Sequence, residues 1–525
     1  MKMNRLLCGI DIGTTGAKAA LFQADGRLLG EGYGEYPVYR PRTGWAEQDP
    51  ADWWRAACEA LQGMMRAARV EPGSIAAVAV SAQAPTMLPL DAAGRPVRRA
   101  LIWMDRRAEE EARFLGERLG EEAIFAATGN RVDPFYVAAK LLWFRRNEPE
   151  LFAQTRQFVQ INGYIAYRLT GALSMDPVHA SLLQLRRWQT GEWLGELCSL
   201  VGVEPDRFPP IVAGEQVIGT VAARAADESG LAEGTPVVAG SVDGSAAALE
   251  AGAIASGEAA EMTGTSTVLL MPNDRAATSP AFIAMPHAVA GAHLLLGAMS
   301  ATGASLKWFR DGFGAAGSGE TGSSYDRLTA EAAEVAAGSE GVVFLPYMAG
   351  ERSPIWDTDA RGVFFGLTLA TGRGALIRAI LEGAAFALRH NVEVAGEAGL
   401  TVREIRSVGG GARSRLWNQI KADVLGRPIL IPERFLGAPF GDALLAGLGC
   451  GEFSDIRETV RALAGIRDRY EPDPTLCALY DERYGIYREL SERLRPLFGR
   501  AARAAGRVGN ASVGRVGNAS GEGDT

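Results

Sequence analysis

The sequence has almost no lysine: five against 49 arginines in 525 residues. Arginine stands nearly everywhere the two cations are interchangeable. The survivors Lys18, Lys140, Lys307 and Lys421 therefore mark either chance retention or places that need a compact ammonium. Histidine is as scarce, with only His179, His287, His293 and His390. None falls in an H-E-x-x-H pattern, which argues against a histidine metal centre. The five cysteines lie far apart and are odd in number. The plain reading is a reduced, cytoplasmic chain without a disulfide framework. Positive charge is also lacking, with 54 basic against 62 acidic residues and a net charge of -8. Such a balance argues against nucleic acid as the main partner. No apolar run approaches the roughly 18 residues of a membrane helix, so no membrane partner is expected. The apolar start at Leu6–Cys8 is interrupted by Asp11, unlike a signal peptide.

What remains is an ordinary globular composition, 47% hydrophobic and 22% charged. At about 150 residues per domain, the length suggests two large domains or three ordinary ones. The opening reads as three antiparallel strands, Leu6 to Ile12, Ala17 to Phe22 and Leu28 to Tyr36, with Asp25-Gly26 as a hairpin turn. A Rossmann unit would need a helix after the first loop. Trp45 to Val70 reads as a helix, Ile75 to Ser81 as a buried strand, and Arg99 to Met104 as another strand. At Val237 the pattern restarts. Glu258 to Thr263, the loop Gly264 to Ser266, and Thr267 to Met271 repeat the opening device of strand, Thr/Gly loop, strand. Two similar α/β domains are expected, 1–251 and 252–497. Gly312 to Ser324 reads as a mobile Gly/Ser loop, and its formal G-x-G-x-x-G follows no strand. The last helix is expected to end at Phe498, with 498–525 a disordered, Gly-rich tail.

Five places could carry chemistry. Gly9 to Lys18, GIDIGTTGAK, turns between strands where exposed amides can cradle phosphate, and Asp11 could organise Mg2+ through water. Met262 to Thr267, MTGTST, is the same device again. Either loop alone fits an ordinary hairpin; the pair favours two phosphate grips. Ser407 to Asp423 runs from a strand through Gly409 to Gly411 into a helix, a place for a flat ligand or for tight packing. Asp243 ends a strand before a small-residue helix, placed as a general base or as a helix cap. In IWMDRR, Trp103, Asp105 and Arg106 offer a stacking face, an acceptor and a forked donor, and Gln83 could join the same pocket. This set suits a polyhydroxylated ligand, or a capped helix beside a buried Trp.

With these residues assembled, the chain resembles the FGGY family of carbohydrate kinases, in its xylulokinase-like branch. The resemblance rests on GIDIGTTGAKAALF, on Gly44 to Trp54 (GWAEQDPADWW), on Phe135 to Asn147, on GERSPIWD from Gly350, and on Gly362 to Glu382. It implies two ribonuclease-H-like (actin-like ATPase) domains flanking a central catalytic cleft. It implies transfer of the γ-phosphoryl group of ATP, with Mg2+, to a small sugar or polyol. By that resemblance Asp243 is the catalytic base and Asp11 the aspartate that organises Mg2+ and phosphates. Gly13, Thr14, Thr15 and Lys18 belong to the first phosphate loop, and Gly264 and Thr265 to the second. Gly303 and Lys307 contact the nucleotide, and Gly410, Gly411 and Ala412 form its adenosine pocket. Gln83, Trp103, Asp105 and Arg106 face the sugar. Typical xylulokinases carry Gln-Met-His-Gly where this chain has Gln83-Ala84-Pro85-Thr86, so a ketopentose such as xylulose competes with other small sugars and polyols. A homodimer is implied by family analogy only. A non-catalytic sensor and an actin-like ATPase on the same scaffold are the competing functions.

Overall fold

The structure is a computed structural model that describes residues 5–313, 324–434 and 436–513. The Gly/Ser segment expected to form a mobile loop lies largely outside the described residues. In chain order the first half supplies β1 (Leu6–Ile12), β2 (Gly16–Gln23), β3 (Leu28–Glu35), α1 (Pro50–Ala68), β4 (Ile75–Ala82), α2 (Pro177–Ser181), β5 (Val217–Thr220), β6 (Pro236–Val242) and α3 (Asp243–Ala251). The second half supplies β7 (Glu258–Thr263), β8 (Thr267–Asn273), β9 (Ile283–Pro286), β10 (His293–Met299), α4 (Thr302–Phe313), α5 (Ser324–Ala333), α6 (Arg373–Glu397), β11 (Glu404–Val408), α7 (Arg415–Leu425), β12 (Ile429–Pro432), α8 (Ala438–Gly449), β13 (Ile466–Tyr470) and α9 (Cys477–Val513).

Two mixed sheets result. The first runs β3-β2-β1-β4-β6-β5 and the second β9-β10-β8-β7-β11-β12-β13. In each, an antiparallel meander passes into three parallel strands and ends on an antiparallel edge. The second sheet adds only β9 at its far edge. The repeated strand, loop, strand device in the sequence is therefore a repeated lobe, as the ribonuclease-H-like expectation requires.

The central strands of both sheets are buried on both faces, which explains their continuous apolar runs, while the edge strands at 28–35, 217–220 and 466–470 are largely exposed. Leu6, Cys8, Ile10 and Ile12 of β1 pack with α1, while Leu7 turns to the opposite core with α8. In β8, Leu269 and Met271 join the outer core of the second lobe, and Leu270 turns to the seam between lobes. Helix α8 belongs to the second half by sequence but lies on the first sheet. A Cβ at Gly9 would stand 1.8 Å from the Pro439 carbonyl oxygen, so only glycine admits this approach.

Three local expectations change. α1 begins at Pro50, because the Asp49 side chain caps it through Ala51 N. The run before it is extended, and Glu47–Gln48 pairs with Ala100–Leu101. Only Ala100–Leu101 of the expected 99–104 strand is paired; the rest is a loop that leads to the site. Finally, α9 continues past Phe498 to Val513. Its Arg/Ala-rich run at 500–505 has high helix propensity, which outweighs the glycines that follow. Residues 514–525 lie outside the described residues.

Candidate active site

The first loop joins β1 to β2, with Gly13 N donating to Gly16 O at 3.0 Å. Side chains from elsewhere fix it. Gln83 Nε2 donates to Gly13 O at 3.0 Å, and Thr14 Oγ1 donates to Gln83 Oε1 at 3.2 Å. Trp103 Nε1 donates to Thr14 Oγ1 at 3.3 Å, and Gln48 Nε2 to Thr14 O at 2.7 Å. Gln83 and Trp103 thus meet the first loop itself, and Thr15 is left exposed beside them. Lys18 stands opposite Asp11 in the β1–β2 register, but its ammonium pairs with Glu31 at 3.0 Å.

Asp11 and Asp243 end neighbouring parts of one sheet, where the strands' carboxyl ends open onto the cleft. Both are half-buried. Burial raises the pKa of Asp11 first, and the charge of Asp243 adds to it; Ser81 and Lys18 oppose. Burial likewise raises Asp243, against the Gly244 amide, which donates to Asp243 Oδ1 at 2.6 Å, and against His179. Gly244 sits against the seam: a Cβ there would stand 3.6 Å from Leu270 and 3.8 Å from Leu296. The base candidate is therefore held on one lobe, and the residue after it touches the other.

Sequence reasoning missed a third carboxylate. Asp442 of α8 is fully buried, and Ser81 Oγ bridges it to Asp11, lying 2.6 Å from Asp442 Oδ2 and 3.3 Å from Asp11 Oδ1. Burial holds the Asp442 carboxyl well above the usual range, Asp11 and Asp243 adding to the effect. No local signal could have found it, because Asp442 follows Asp11 by more than 400 positions in an apolar helix. A second omission is the pair Asp176–His179 in α2, where His179 Nδ1 lies 2.5 Å from Asp176 Oδ2.

The IWMDRR residues separate. Trp103 reaches Thr14, and the guanidinium of Arg352, from the other lobe, lies over its ring at 5.8 Å. Arg106 stands at the rim and binds Asp133 at 2.6 Å. Asp105 is not brought to the cleft. It is fully buried, with Oδ2 accepting from Ala46 N at 2.6 Å and both oxygens held by Arg107 at 2.9–3.1 Å. Arg107 lies over Trp45 at 3.6 Å and also binds Glu47 at 2.8 Å. The carboxylate therefore braces the loop, and its neighbour Arg106 is the one that faces outward.

The second loop opens a different space. A cavity of about 480 Å³ is lined by Thr263, Gly264, Thr265, Gly303, Lys307 and, across it, Gly410 and Gly411. This lies within the usual range for a small-molecule site. Helix α4 starts here, so its dipole favours an anion at this end. Its approach is very close: a Cβ at Gly303 would stand 1.9 Å from the Gly264 carbonyl oxygen. Ala304 N donates to Thr265 O at 2.8 Å and locks loop to helix. Lys307 lines the cavity while its ammonium pairs with Asp311. Ala412 does not line it; that residue is buried, and its carbonyl accepts from Asn418 Nδ2 at 2.8 Å. Tyr325, Asp326 and Thr329 of α5, with Arg413 and Trp417, complete the wall and were not legible in the sequence.

Behind this loop lies a sealed polar chain. Lys421 pairs with Glu261, which accepts from Ser407 and, at 2.5 Å, from Thr263 Oγ1. Thr263 meets Thr267 at 2.8 Å, and Thr267 meets Thr302 at 2.7 Å, where α4 begins. The buried ammonium thus fixes both ends of the second loop.

Two Gly/Thr loops, one per lobe, with an aspartate at the seam and an anion-favouring cavity, form a phosphoryl-transfer geometry. Comparison with known proteins agrees. Residues 6–250 match the N-terminal domain model of the FGGY family of carbohydrate kinases, and residues 259–450 match its C-terminal domain model. The xylulose kinase of Bacillus subtilis (strain 168) is 29% identical over 489 residues, 93% of this chain and 96% of that one. The gluconokinase of the same strain is 29% identical over 501 residues, 94% of this chain and 96% of that one. The crystal structure of xylulose kinase from Rhodospirillum rubrum superposes with a TM-score of 0.87 at 33% identity, covering 94% of this chain and all of that one. With both domain models matched in order and the repeated lobes in place, this chain belongs to the FGGY family of carbohydrate kinases.

Proposed function

We propose that the chain phosphorylates a hydroxyl of a small sugar, with a ketopentose such as xylulose as the preferred class, ATP as donor and Asp243 as general base. The observation that carries this reading is Asp243 itself, half-buried at the first turn of α3, with Gly244 beside it against the second lobe. A hydroxyl that attacks a phosphorus needs an acceptor for its proton in that position. ATP would fill the cavity between α4 and the Gly410–Gly411 turn, with its phosphates toward Gly264 and Thr265. The acceptor would lie on the side of Gln83, Trp103 and Arg106.

Mg2+ fits the residues present. Among the described residues no group of three acidic, histidine or cysteine side chains forms a metal cage. Mg2+ in such sites takes only one or two carboxylates and completes its shell with phosphates and water. Asp11 would hold it, because burial and Asp243 both oppose an isolated Asp11 charge that a cation would favour. When bound, the ion neutralises charge on the phosphates.

The deciding experiment is ADP release from MgATP across ketopentoses, ketohexoses, gluconate and polyols. Selective stimulation by a ketopentose is expected. Selective stimulation by gluconate or a polyol moves the chain to that substrate. Hydrolysis indifferent to every acceptor would instead favour an ATPase.

A further inference from the structure

His179 is fully buried on α2. An imidazole sealed from water needs partners for both ring nitrogens. Nδ1 has one in Asp176 Oδ2, at 2.5 Å. Asp176 is itself fixed: Asn162 Nδ2 donates to Oδ2 at 2.9 Å, while Val178 N and His179 N donate to Oδ1 at 3.0 and 3.1 Å. The ring is therefore aimed, and Nε2 is its working end. Nε2 meets no hydrogen-bond partner among the described residues.

Its surroundings bring it near the base. His179 acts on the charge of Asp243, favouring the ionised form. Val178, one residue before it, packs in the same seam cluster as Val242, which precedes Asp243, and as Ala84, which follows Gln83. With Asp176 on Nδ1, the free nitrogen presents a lone pair when the ring is neutral and an N–H when it is protonated. A hydroxyl answers both forms; a carbonyl oxygen answers only the second.

We propose that His179, aimed by Asp176, binds a second hydroxyl of the acceptor sugar, distinct from the one Asp243 activates, and is a specificity-determining residue. The inference rests on the kinase reading above and deepens it.

The test uses the full chain, its best acceptor, and the deoxy analogues that each lack one hydroxyl. Wild type, His179→Ala and His179→Gln are compared, with folding followed by thermal melts. His179→Ala is expected to lower kcat/KM for the sugar by about 10- to 100-fold, as for a buried partner left unpaired, with KM for MgATP within about twofold. His179→Gln, whose amide reaches near the Nε2 position, is expected to restore most of it. One deoxy analogue should lose a similar factor in wild type and lose little more in His179→Ala. An equal fall in kcat for every acceptor, with no analogue singled out, overturns the proposal. If His179→Ala does not fold, an unchanged ranking of analogues in His179→Gln overturns it as well. Wild-type turnover that no hydroxylated acceptor raises overturns the kinase reading and this inference with it. Turnover that is raised but indifferent to His179 overturns this inference alone.

Discussion

Two aspartates and two buried lysines show what single side chains do here. Asp243 must be ionised to accept a proton, and burial lifts its pKa above the ordinary carboxylate range. Turnover should therefore rise with pH along an acid limb that lies above about 4. Asp243→Asn should lower kcat by about 10²–10⁴, the range for a positioned base, with folding retained in a thermal melt. A kcat–pH profile checks the first claim, and near-normal turnover of the variant would defeat the second. Asp442 makes a different prediction. Its carboxyl keeps its proton in the fold at a pH where the unfolded chain has lost it. Folding stability therefore falls as pH rises above the ordinary carboxylate value, by up to about 1.4 kcal/mol per pH unit. Asp442→Asn keeps an acceptor for Ser81 and removes that slope. Its stability advantage, read by denaturant unfolding, should grow from pH 5 to pH 8; a constant gap would refute it. Lysine scarcity was informative only in part. Lys421 and Lys140 are buried, the latter donating to the Pro134 and Phe135 carbonyls. Lys18 and Lys307 sit in partly exposed ion pairs that an arginine could also make.

At the scale of elements, the site depends on close approach. α4 reaches the second loop only because residue 303 has no Cβ. Gly303→Ala must push helix and loop apart, at a cost of about 1–3 kcal/mol for overpacking. Part of that cost should appear as a raised KM for ATP, with KM for the sugar changed less, since the residues proposed for the sugar lie on the other lobe. Steady-state kinetics in both substrates test this, and an equal rise in both constants would show that the helix does not act on the nucleotide alone. The glycines of MTGTST and SVGGGARS were visible as turn residues. Their partner at Gly303 was legible only as part of a motif, because its role is set by a loop about forty positions earlier.

The whole molecule is two copies of one sheet plan facing across a seam, and contacts across that seam set closure. Arg352 of the second lobe lies over Trp103 of the first, next to the first phosphate loop. Closure that excludes water protects the transferred phosphoryl group from hydrolysis. Arg352→Ala removes this contact, worth up to about 2 kcal/mol when desolvated. The ratio of acceptor-free to acceptor-dependent ADP release should then rise. An unchanged ratio would mean that closure rests on the apolar seam alone.

The sequence by itself determined the opening strands of both lobes, the two Gly/Thr loops and the position of Asp243 between a strand and a helix. Each of these is written in short-range patterns: alternation, Gly/Thr turns, and an acidic residue where a strand passes into a helix. Tertiary structure alone decided that Asp105 braces a loop while Arg106 faces out. It also decided that Asp442 and Ser81 stand behind Asp11, that Glu261 and Lys421 anchor the second loop, and that Asp176 aims a fully buried His179. Most of those pairings join residues from tens to hundreds of positions apart. Their energies come from burial and from the satisfaction of polar atoms, which no local spacing encodes.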